Sequence, residues 1–207
     1  MALASGLAAS CAFGIVADVP PAHAVMTYTI REQAGSKVLF EASGSLELPA
    51  IQRQEDFDCE TDGLLVFPVA TFCSGPARLV NTYRILGPQF FSFGAFGLAT
   101  QASGISTIID GGGGELGIGP YVSGEPIFSQ SVFLGATLAS LGLSQLANGE
   151  IATWTLQPLD QNDPYTAFDT IRMVVIPVPG PLPMLGLGAA WSLSRRLRRR
   201  LRGPATP

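Results

Sequence analysis

The sequence has very little histidine: the only one is His23, which lies within the first 24 residues. If those residues are removed as a signal peptide, the remaining chain has none. Ser-His and Cys-His catalysis and imidazole metal sites all require this side chain. Its absence excludes these chemistries and favours a protein that is not an enzyme.

Charged residues are also scarce, at 14% of the chain, whereas glycine and proline together number 40. A hydrophobic share of 47% excludes an intrinsically disordered chain. No long amphipathic helix is evident, and about 150 residues are enough to bury a core.

Short apolar segments rich in β-branched and aromatic residues alternate with turn signals, and this pattern is typical of strands. The pattern predicts an all-β fold, an antiparallel β-sandwich or jelly roll in one domain over residues 25–175. Residues 136–146 have helical periodicity, but we favour a strand followed by a turn. The predicted strands are MTYTIRE, SKVLFEASGSLEL, LLVFPVATF, RLVNTYRIL, FFSFGAFGL, ISTIID, VFLGATLASL, EIATWTLQPL and DTIRMVVI.

The first 24 residues are typical of a secretory signal peptide. A small apolar stretch is followed by Pro20-Pro21 and then Ala22-His23-Ala24, an A-x-A site that predicts cleavage after Ala24. The basic residues usual at the start of such a signal are absent. A lipoprotein signal at Cys11 is a weaker alternative, because the leucine expected three residues before the cysteine is missing.

Half of the twelve basic residues lie in the last 13 positions, whereas residues 25–194 hold six basic and 15 acidic residues, a net charge of −9. An acidic body repels phosphate backbones, so nucleic acid is an unfavourable partner. Because the basic cluster follows an apolar stretch, it indicates contact with a membrane surface. Its members are Arg195, Arg196, Arg198, Arg199, Arg200 and Arg202.

The apolar stretch that precedes the arginines is short. Residues 182–194 carry no charge and would form a helix roughly 20 Å long, against about 30 Å of hydrocarbon. We therefore expect residues 184–203 to form a short transmembrane or interfacial helix, with the arginines on the cytoplasmic side. The proline-rich residues 176–183 form a hinge before it.

This C-terminal arrangement resembles the PEP-CTERM sorting signal of Gram-negative bacteria: a proline motif, a short apolar segment and an arginine cluster. The usual Pro-Glu-Pro is replaced by a VPGPLP form. The resemblance implies an exosortase-like membrane protease as partner, an inner-membrane intermediate, and delivery to the cell surface or matrix. The motif residues are Pro177, Val178, Pro179, Gly180, Pro181 and Pro183.

The body resembles a group of exported proteins that carry the same tail. The matching stretches are Gly87-Pro88, Ser92-Phe93-Gly94, Tyr121-Val122-Ser123-Gly124 and the sequence ATLASLGL at residues 136–143. They span roughly residues 85–155. The resemblance implies a small all-β surface protein without a catalytic role.

Two cysteines remain after signal removal, Cys59 and Cys73. In an oxidising compartment we expect them to form a disulfide, which would contribute about 3 kcal/mol by restricting the unfolded chain. A reactive thiol is the weaker interpretation, since no base lies nearby in sequence.

The sequence DCETDG resembles the start of a calcium loop, because Asp58, Glu60 and Asp62 place oxygens two residues apart before a glycine. The closing acid is missing, since Val69 occupies that position. A weak calcium site is one interpretation, and a solvated acidic loop is the other. No other cofactor is expected.

The segment IIDGGGGELGIG contains G-x-G-x-x-G at Gly112, Gly114 and Gly117. A dinucleotide loop requires a helix to follow, and Gly119-Pro120 makes one improbable. We therefore interpret the segment as a hairpin loop.

Together these patterns predict an exported, non-enzymatic surface or biofilm-matrix protein. One alternative is a carbohydrate-binding module that could use the aromatic residues Tyr121, Trp154 and Tyr165 to bind extracellular polysaccharide. A second is a small glycosidase, which needs two carboxylates such as Glu115, Glu125 or Asp169 in one cleft.

Overall fold

The computed structural model describes residues 24–50, the backbone of 53–55, and residues 61–144, 146, 149–158, 162 and 169–176. These residues form thirteen strands and one 3₁₀ turn, Phe67–Val69. The strands are β1 Val25–Gln33, β2 Lys37–Gly44, β3 Arg53–Glu55, β4 Leu64–Val66, β5 Thr71–Ser74, β6 Val80–Leu86, β7 Phe96–Leu98, β8 Gln101–Gly104, β9 Thr107–Asp110, β10 Glu115–Ile118, β11 Ile127–Leu134, β12 Gly149–Gln157 and β13 Thr170–Ile176.

Alternation of buried and half-buried side chains explains why these segments are strands. In β1 the side chains of Met26, Tyr28 and Ile30 are buried, and those between them face outward. β13 repeats the pattern with Ile171 and Met173 among its buried residues. Because successive side chains of a strand point to opposite faces, each strand covers the core with one face. The prediction of an all-β fold is confirmed.

All thirteen strands belong to one hydrogen-bonded sheet rather than to the two separate sheets of a sandwich. The order is β7-β4-β5-β9-β10-β6-β12-β13-β1-β2-β11-β8, and β3 pairs additionally with β6. Every pair is antiparallel except β1 with β13, which is parallel. The hydrogen bonding is continuous because β1 pairs with β2 on one side and with β13 on the other.

The sheet folds over, so that its two halves face each other across the core. The edge strands β7 and β8 are joined by only two residues, Ala99 and Thr100, although they stand at opposite ends of the strand order. Farther in, the Ser74 hydroxyl on β5 donates to the Phe40 carbonyl on β2 at 3.2 Å and lies 2.9 Å from the Ser129 hydroxyl on β11. Buried hydroxyls thus link the two halves by hydrogen bonds.

An aromatic cluster fills one end of the core. Trp154 lies edge-on to Phe72 and Phe91, with ring centroids 6.2 and 6.5 Å apart. Phe67 packs against Phe72 and Phe93 at 5.1 and 6.0 Å. Such offset and edge contacts add to the stability that burial of the rings provides.

Two predicted strands, FFSFGAFGL and VFLGATLASL, are shorter in the structure than in the prediction. Residues 90–95 are an irregular loop, and only Phe96–Leu98 of FFSFGAFGL is a strand. Phe91 and Phe93 both pack inward on Phe67, as alternate residues of a strand would. Gly94, however, has φ +82°, outside the extended range of a strand, and the Ala95 N–H donates to the Leu141 carbonyl at 2.9 Å instead of to a neighbouring strand.

The prediction of strand plus turn over residues 136–146 is wrong in its strand part. β11 ends at Leu134, and the described residues after it form consecutive turns. The Thr137 and Ser140 side chains each accept a hydrogen bond from the other's backbone N–H, at 3.0 and 2.9 Å. This reciprocal arrangement starts a single helical turn, closed by the Leu141 N–H to the Thr137 carbonyl at 3.1 Å. The segment covers the core with Leu138, Leu141 and Leu143, which are buried.

The parallel pairing of β1 and β13 places the two ends of the body at opposite ends of the sheet. Val25 is in register with Thr170, and Arg31 is in register with Ile176. Six steps of a strand span about 20 Å. We name the end at Val25 and Thr170 the junction end, because it adjoins the predicted cleavage site, and the end at Ile176 the exit end.

Several predicted segments lie outside the described residues. These are the signal peptide up to residue 23, including Ala22, and everything from Pro177 onward. Within the part of the chain that the structure describes, no helix has the length and apolar character needed to cross a membrane.

Truncation of Trp154 tests the core. Trp154 is 1% exposed and its Nε1–H donates to the Pro88 carbonyl at 3.0 Å. We expect Trp154→Ala to lower the free energy of unfolding by about 3–5 kcal/mol. Phe128→Ala is the matched control, since Phe128 is 53% exposed, and it should change stability by less than about 0.5 kcal/mol. Equal losses in urea unfolding would contradict this packing.

Candidate functional site

The completely buried carboxylate of Asp169 lies at the junction end of the sheet. It stands directly before β13, beside the first described residue, Ala24. Its Oδ1 accepts a hydrogen bond from the Ala24 N–H at 3.0 Å, and its Oδ2 accepts one from the Glu47 N–H at 2.5 Å. Hydrogen bonds to a carboxylate are about twice as strong as neutral ones. Asp169 therefore ties the start of β1 to the segment that follows β2.

The segment after β2 is held by side chains of residues 121–125. The Tyr121 hydroxyl accepts from the Leu46 N–H at 3.1 Å and lies 2.5 Å from the Glu125 carbonyl. The Ser123 hydroxyl accepts from the Leu48 N–H at 2.8 Å and donates to Glu47 Oε2 at 3.0 Å. We call Ala24, residues 46–48, Tyr121, Ser123 and Asp169 the junction cluster.

The junction cluster includes one of the stretches that carry the resemblance of the body. In Tyr121-Val122-Ser123-Gly124, the Gly124 N–H also donates to the Leu46 carbonyl at 2.9 Å. Gly124 has φ +84°, and a Cβ there would lie 2.9 Å from the Glu47 carboxylate. The residues of this stretch thus hold a loop against the junction end, and they need glycine to do so.

Burial raises the pKa of three tyrosines above the ordinary value of 10. Tyr28 is the most affected, because it is fully buried and its hydroxyl, beside that of Thr107, makes no well-formed hydrogen bond with any described residue. Burial also raises the pKa of Tyr83 and Tyr121. For Tyr121, hydrogen bonding to the Leu46 backbone partly offsets this effect, and the nearby Glu47 carboxylate adds to it.

A solvent-open pocket of about 370 Å³ lies between β6 and the β9–β10 loop. Its polar groups come from Arg84, Gln89 and Glu115. Glu115 is directly opposite both Arg84 and Asp110 in the sheet register. The guanidinium beside two carboxylates could bind a small polar ligand. Within the described residues, however, the pocket lining holds one carboxylate and not a catalytic pair.

The structure does not bring the predicted glycosidase carboxylates together. Glu115 lies on β10, three strands away from β13 in the sheet order, whereas Asp169 directly precedes β13. Glu125 is close to Asp169 in the fold, but its side chain is exposed while that of Asp169 is completely buried. Both oxygens of Asp169 accept backbone hydrogen bonds, so this carboxylate holds two chain segments together and is not presented to a substrate.

The predicted aromatic platform does not form from the described residues. Trp154 is in the core and 1% exposed. Tyr121 is half-buried, and its hydroxyl serves the junction cluster. Tyr165 lies outside the described residues. The strand pattern misled us for Trp154, because alternation does not distinguish the inner from the outer face of a strand.

The glycine-rich segment is the predicted hairpin loop. Residues 111–114 connect the antiparallel strands β9 and β10, and no helix follows. Gly117 lies within β10, where a Cβ would approach Val80 at 2.6 Å. The glycines thus serve a tight turn and close packing of strands.

The cysteine and calcium predictions fall partly outside the described residues. Cys73 lies on β5, is 2% exposed, and takes part in a disulfide bond. Cys59 is outside the described residues, so its pairing with Cys73 stays a prediction. Asp62 is exposed, and its Oδ1 accepts from the Ala77 N–H at 3.3 Å. Asp58 and Glu60 are outside, and no cluster of three possible metal ligands occurs among the described residues.

Sequence reasoning missed the residues that organise the junction cluster. Glu47, Ser123 and the structural role of Asp169 depend on contacts between residues 75 to 145 positions apart. No local pattern signals such contacts. The one usable signal is the isolated Asp169, an acidic residue directly before an apolar strand.

The chain matches no protein-family model, and neither the curated proteins nor the solved structures contain a significant match to it.

Alkaline unfolding tests the buried phenols. Unfolded tyrosines ionise near pH 10, whereas the folded pKa values are raised. Above pH 10 the unfolded chain therefore binds fewer protons, so stability that is present below about pH 10 falls as the pH rises toward the folded pKa values. Phenolate absorbance should appear together with the loss of circular dichroism. Tyr28→Phe should make the fall shallower, and an unchanged slope would contradict the burial of that phenol.

Alkylation tests the cysteine pair. In protein isolated without reductant, we expect Cys59 and Cys73 to resist iodoacetamide even in urea, because both would be in one disulfide. Reduction in urea should make both reactive. Mass spectrometry after proteolysis reports each site, and a free thiol at Cys59 before reduction would refute the pairing.

Proposed function

We propose that this chain is an exported, non-enzymatic protein of the cell surface or extracellular matrix, routed by a PEP-CTERM-like sorting signal at its C-terminus. A signal peptide directs export and is removed after Ala24. The arginine tail then holds the body at the inner membrane until a protease of the exosortase type acts at Val178-Pro179-Gly180-Pro181. The cysteine pair Cys59–Cys73 is oxidised in the exported body.

The observation that carries this proposal is the parallel pairing of β1 and β13. The strand register runs from Val25 opposite Thr170 to Arg31 opposite Ile176. β1 starts at the residue after the proposed first cut, and β13 ends one residue before the proline motif. Both signals thus join the body at strand ends, and they leave it about 20 Å apart.

This geometry suits a protein that is processed at both ends. A peptidase needs an extended, accessible substrate, and a cut inside a strand would remove ladder hydrogen bonds. The C-terminal cut falls after β13 ends at Ile176, and the N-terminal cut, directly before β1, removes one backbone hydrogen bond, from the Thr170 N–H to the Ala24 carbonyl at 3.2 Å. Release of the tail would leave β13 complete, so the body can fold before sorting and keep its fold afterwards.

The body itself offers a binding or structural role better than a catalytic one. Its carboxylates at Asp169 and Glu115 lie three strands apart in the sheet order, and Asp169 is completely buried. The mature chain would also lack histidine. A scaffold held by one continuous sheet and a disulfide suits a protein that persists outside the cell.

The mass of the C-terminus from native cells tests this function. We expect the mature chain to end within Val178-Pro179-Gly180-Pro181 and to begin at Val25. A mature chain that still contains Arg202 would refute sorting by cleavage. A chain that retains residues 1–24 would refute export by this signal.

The arginine cluster provides a matched pair of variants. Replacing the six arginines by serine should abolish processing at the C-terminus, because nothing would stop the tail at the membrane. Replacing them by lysine keeps the charge and should preserve processing. Immunoblots of membrane and medium fractions report both. Normal processing of the serine variant would contradict the retention role.

A further inference from the structure

We propose that the buried carboxylate of Asp169 is the binding site for the α-ammonium group that the proposed cleavage after Ala24 creates. The inference rests on the proposed export and processing. It assigns to Asp169 a ligand that the precursor does not contain, namely the new amino terminus of the chain itself.

The first step in the argument is the position of the carboxylate. Asp169 immediately precedes Thr170, the residue in register with Val25. Its Oδ1 lies 3.0 Å from the Ala24 nitrogen, the atom one residue before the new terminus. Consecutive Cα atoms are 3.8 Å apart along the chain, so the Val25 nitrogen lies one residue from the Ala24 nitrogen. The Val25 ammonium group would therefore need to move only a few ångströms to reach the Asp169 carboxylate.

The second step is the cost of burying the carboxylate. Asp169 is 0% exposed. Removing a carboxylate from water is unfavourable unless hydrogen bonds and an opposite charge replace the lost hydration. Its contacts in the precursor include hydrogen bonds from the neutral amides of Ala24 and Glu47. Removal of Ala24 takes one of these donors away, and the Val25 ammonium supplies a donor that carries a full positive charge.

The third step is that Val25 is held in place without Ala24. Its carbonyl accepts from the Ser45 N–H at 3.4 Å. The Val25 carbonyl also packs closely against Gly44, which has φ +123°. A Cβ added at Gly44 would lie only 2.1 Å from the Val25 oxygen. Met26 then continues the ladder to β2 opposite Gly44. The new terminus thus stays between β2 and β13 and beside Asp169.

The consequence is a fold that gains an ion pair on processing. The pair would join the start of β1, the start of β13 and the Glu47 segment at one point. Charge-assisted hydrogen bonds at buried positions exceed neutral ones in strength. The processed body should therefore hold its amino terminus more tightly than the precursor holds Ala24.

Amine labelling provides a direct test, because Lys37 is the only lysine in the sequence. In a Lys37→Arg background, the processed chain has a single primary amine, its α-amino group. The full chain is expressed with its signal in an exporting bacterium, purified after processing, and treated with acetic anhydride near pH 7.5. Mass spectrometry of the amino-terminal peptide measures the rate of acetylation.

We expect the α-amino group of the K37R protein to react about tenfold more slowly than that of K37R/D169N, since each unit by which a carboxylate raises an amine pKa lowers the reactive fraction tenfold. The control is K37R/E125Q, which neutralises an exposed carboxylate at the same end of the sheet and should react as slowly as K37R. Equal rates in K37R and K37R/D169N, with both folded by circular dichroism, would overturn the inference.

A second measurement covers the case in which D169N does not fold. The K37R protein alone is acetylated when folded and when unfolded in urea. A marked acceleration on unfolding supports a paired terminus, and equal rates overturn it. Amino-terminal sequencing separates the two proposals: processing after Ala24 with equal rates refutes only the Asp169 site. An unprocessed chain refutes the proposed export signal and the ion pair with it.

Discussion

The parallel pairing of β1 with β13 is the interaction on which the rest of this structure depends. In the strand order it is the one lateral link between the block β1-β2-β11-β8 and the block that runs from β13 to β7. All other described pairings are antiparallel and lie within those blocks. Without it, no described strand pairing would join the two halves, which would then meet through core packing, side-chain hydrogen bonds such as that from Ser74 to Phe40, and the connecting loops. The first and last strands of the body thus close the sheet together.

The same pairing leaves backbone groups at the junction end that need hydrogen-bond partners from outside the sheet. Parallel strands begin side by side, so the chain must enter β1 and β13 at nearly the same place. Few backbone N–H and C=O groups there pair with a neighbouring strand, and side chains form hydrogen bonds with them instead. Asp169, Tyr121 and Ser123 supply these hydrogen bonds to residues that are distant in sequence. A buried charge at this point makes the region sensitive to any change in the start of the chain.

Many of the strands could be predicted from the sequence, because buried and outward-facing side chains alternate along a strand with a period of two residues. In β1 and β13 the alternation is clear, and both segments were predicted as strands. The loop at residues 90–95 and the turns after Leu134 were not, because Phe91, Phe93 and Leu138 are apolar for reasons of tertiary packing. Apolar residues in a loop that covers the core look like strand residues in sequence. The roles of Trp154 and Asp169 were missed for a related reason: periodicity does not say which face is inside.

By itself, the sequence determined the all-β class, the hairpin at the glycine-rich segment, and the expectation of a signal at each end, since these follow from local composition and residue order. Only the tertiary structure decided that the strands form one sheet, that the first and last strands pair in parallel, and that Asp169 is buried beside Ala24. The physical reason is that strand pairing and burial arise from contacts between segments up to 145 residues apart. Local preferences cannot specify such contacts; they form when the folded chain satisfies its backbone hydrogen bonds and covers its core.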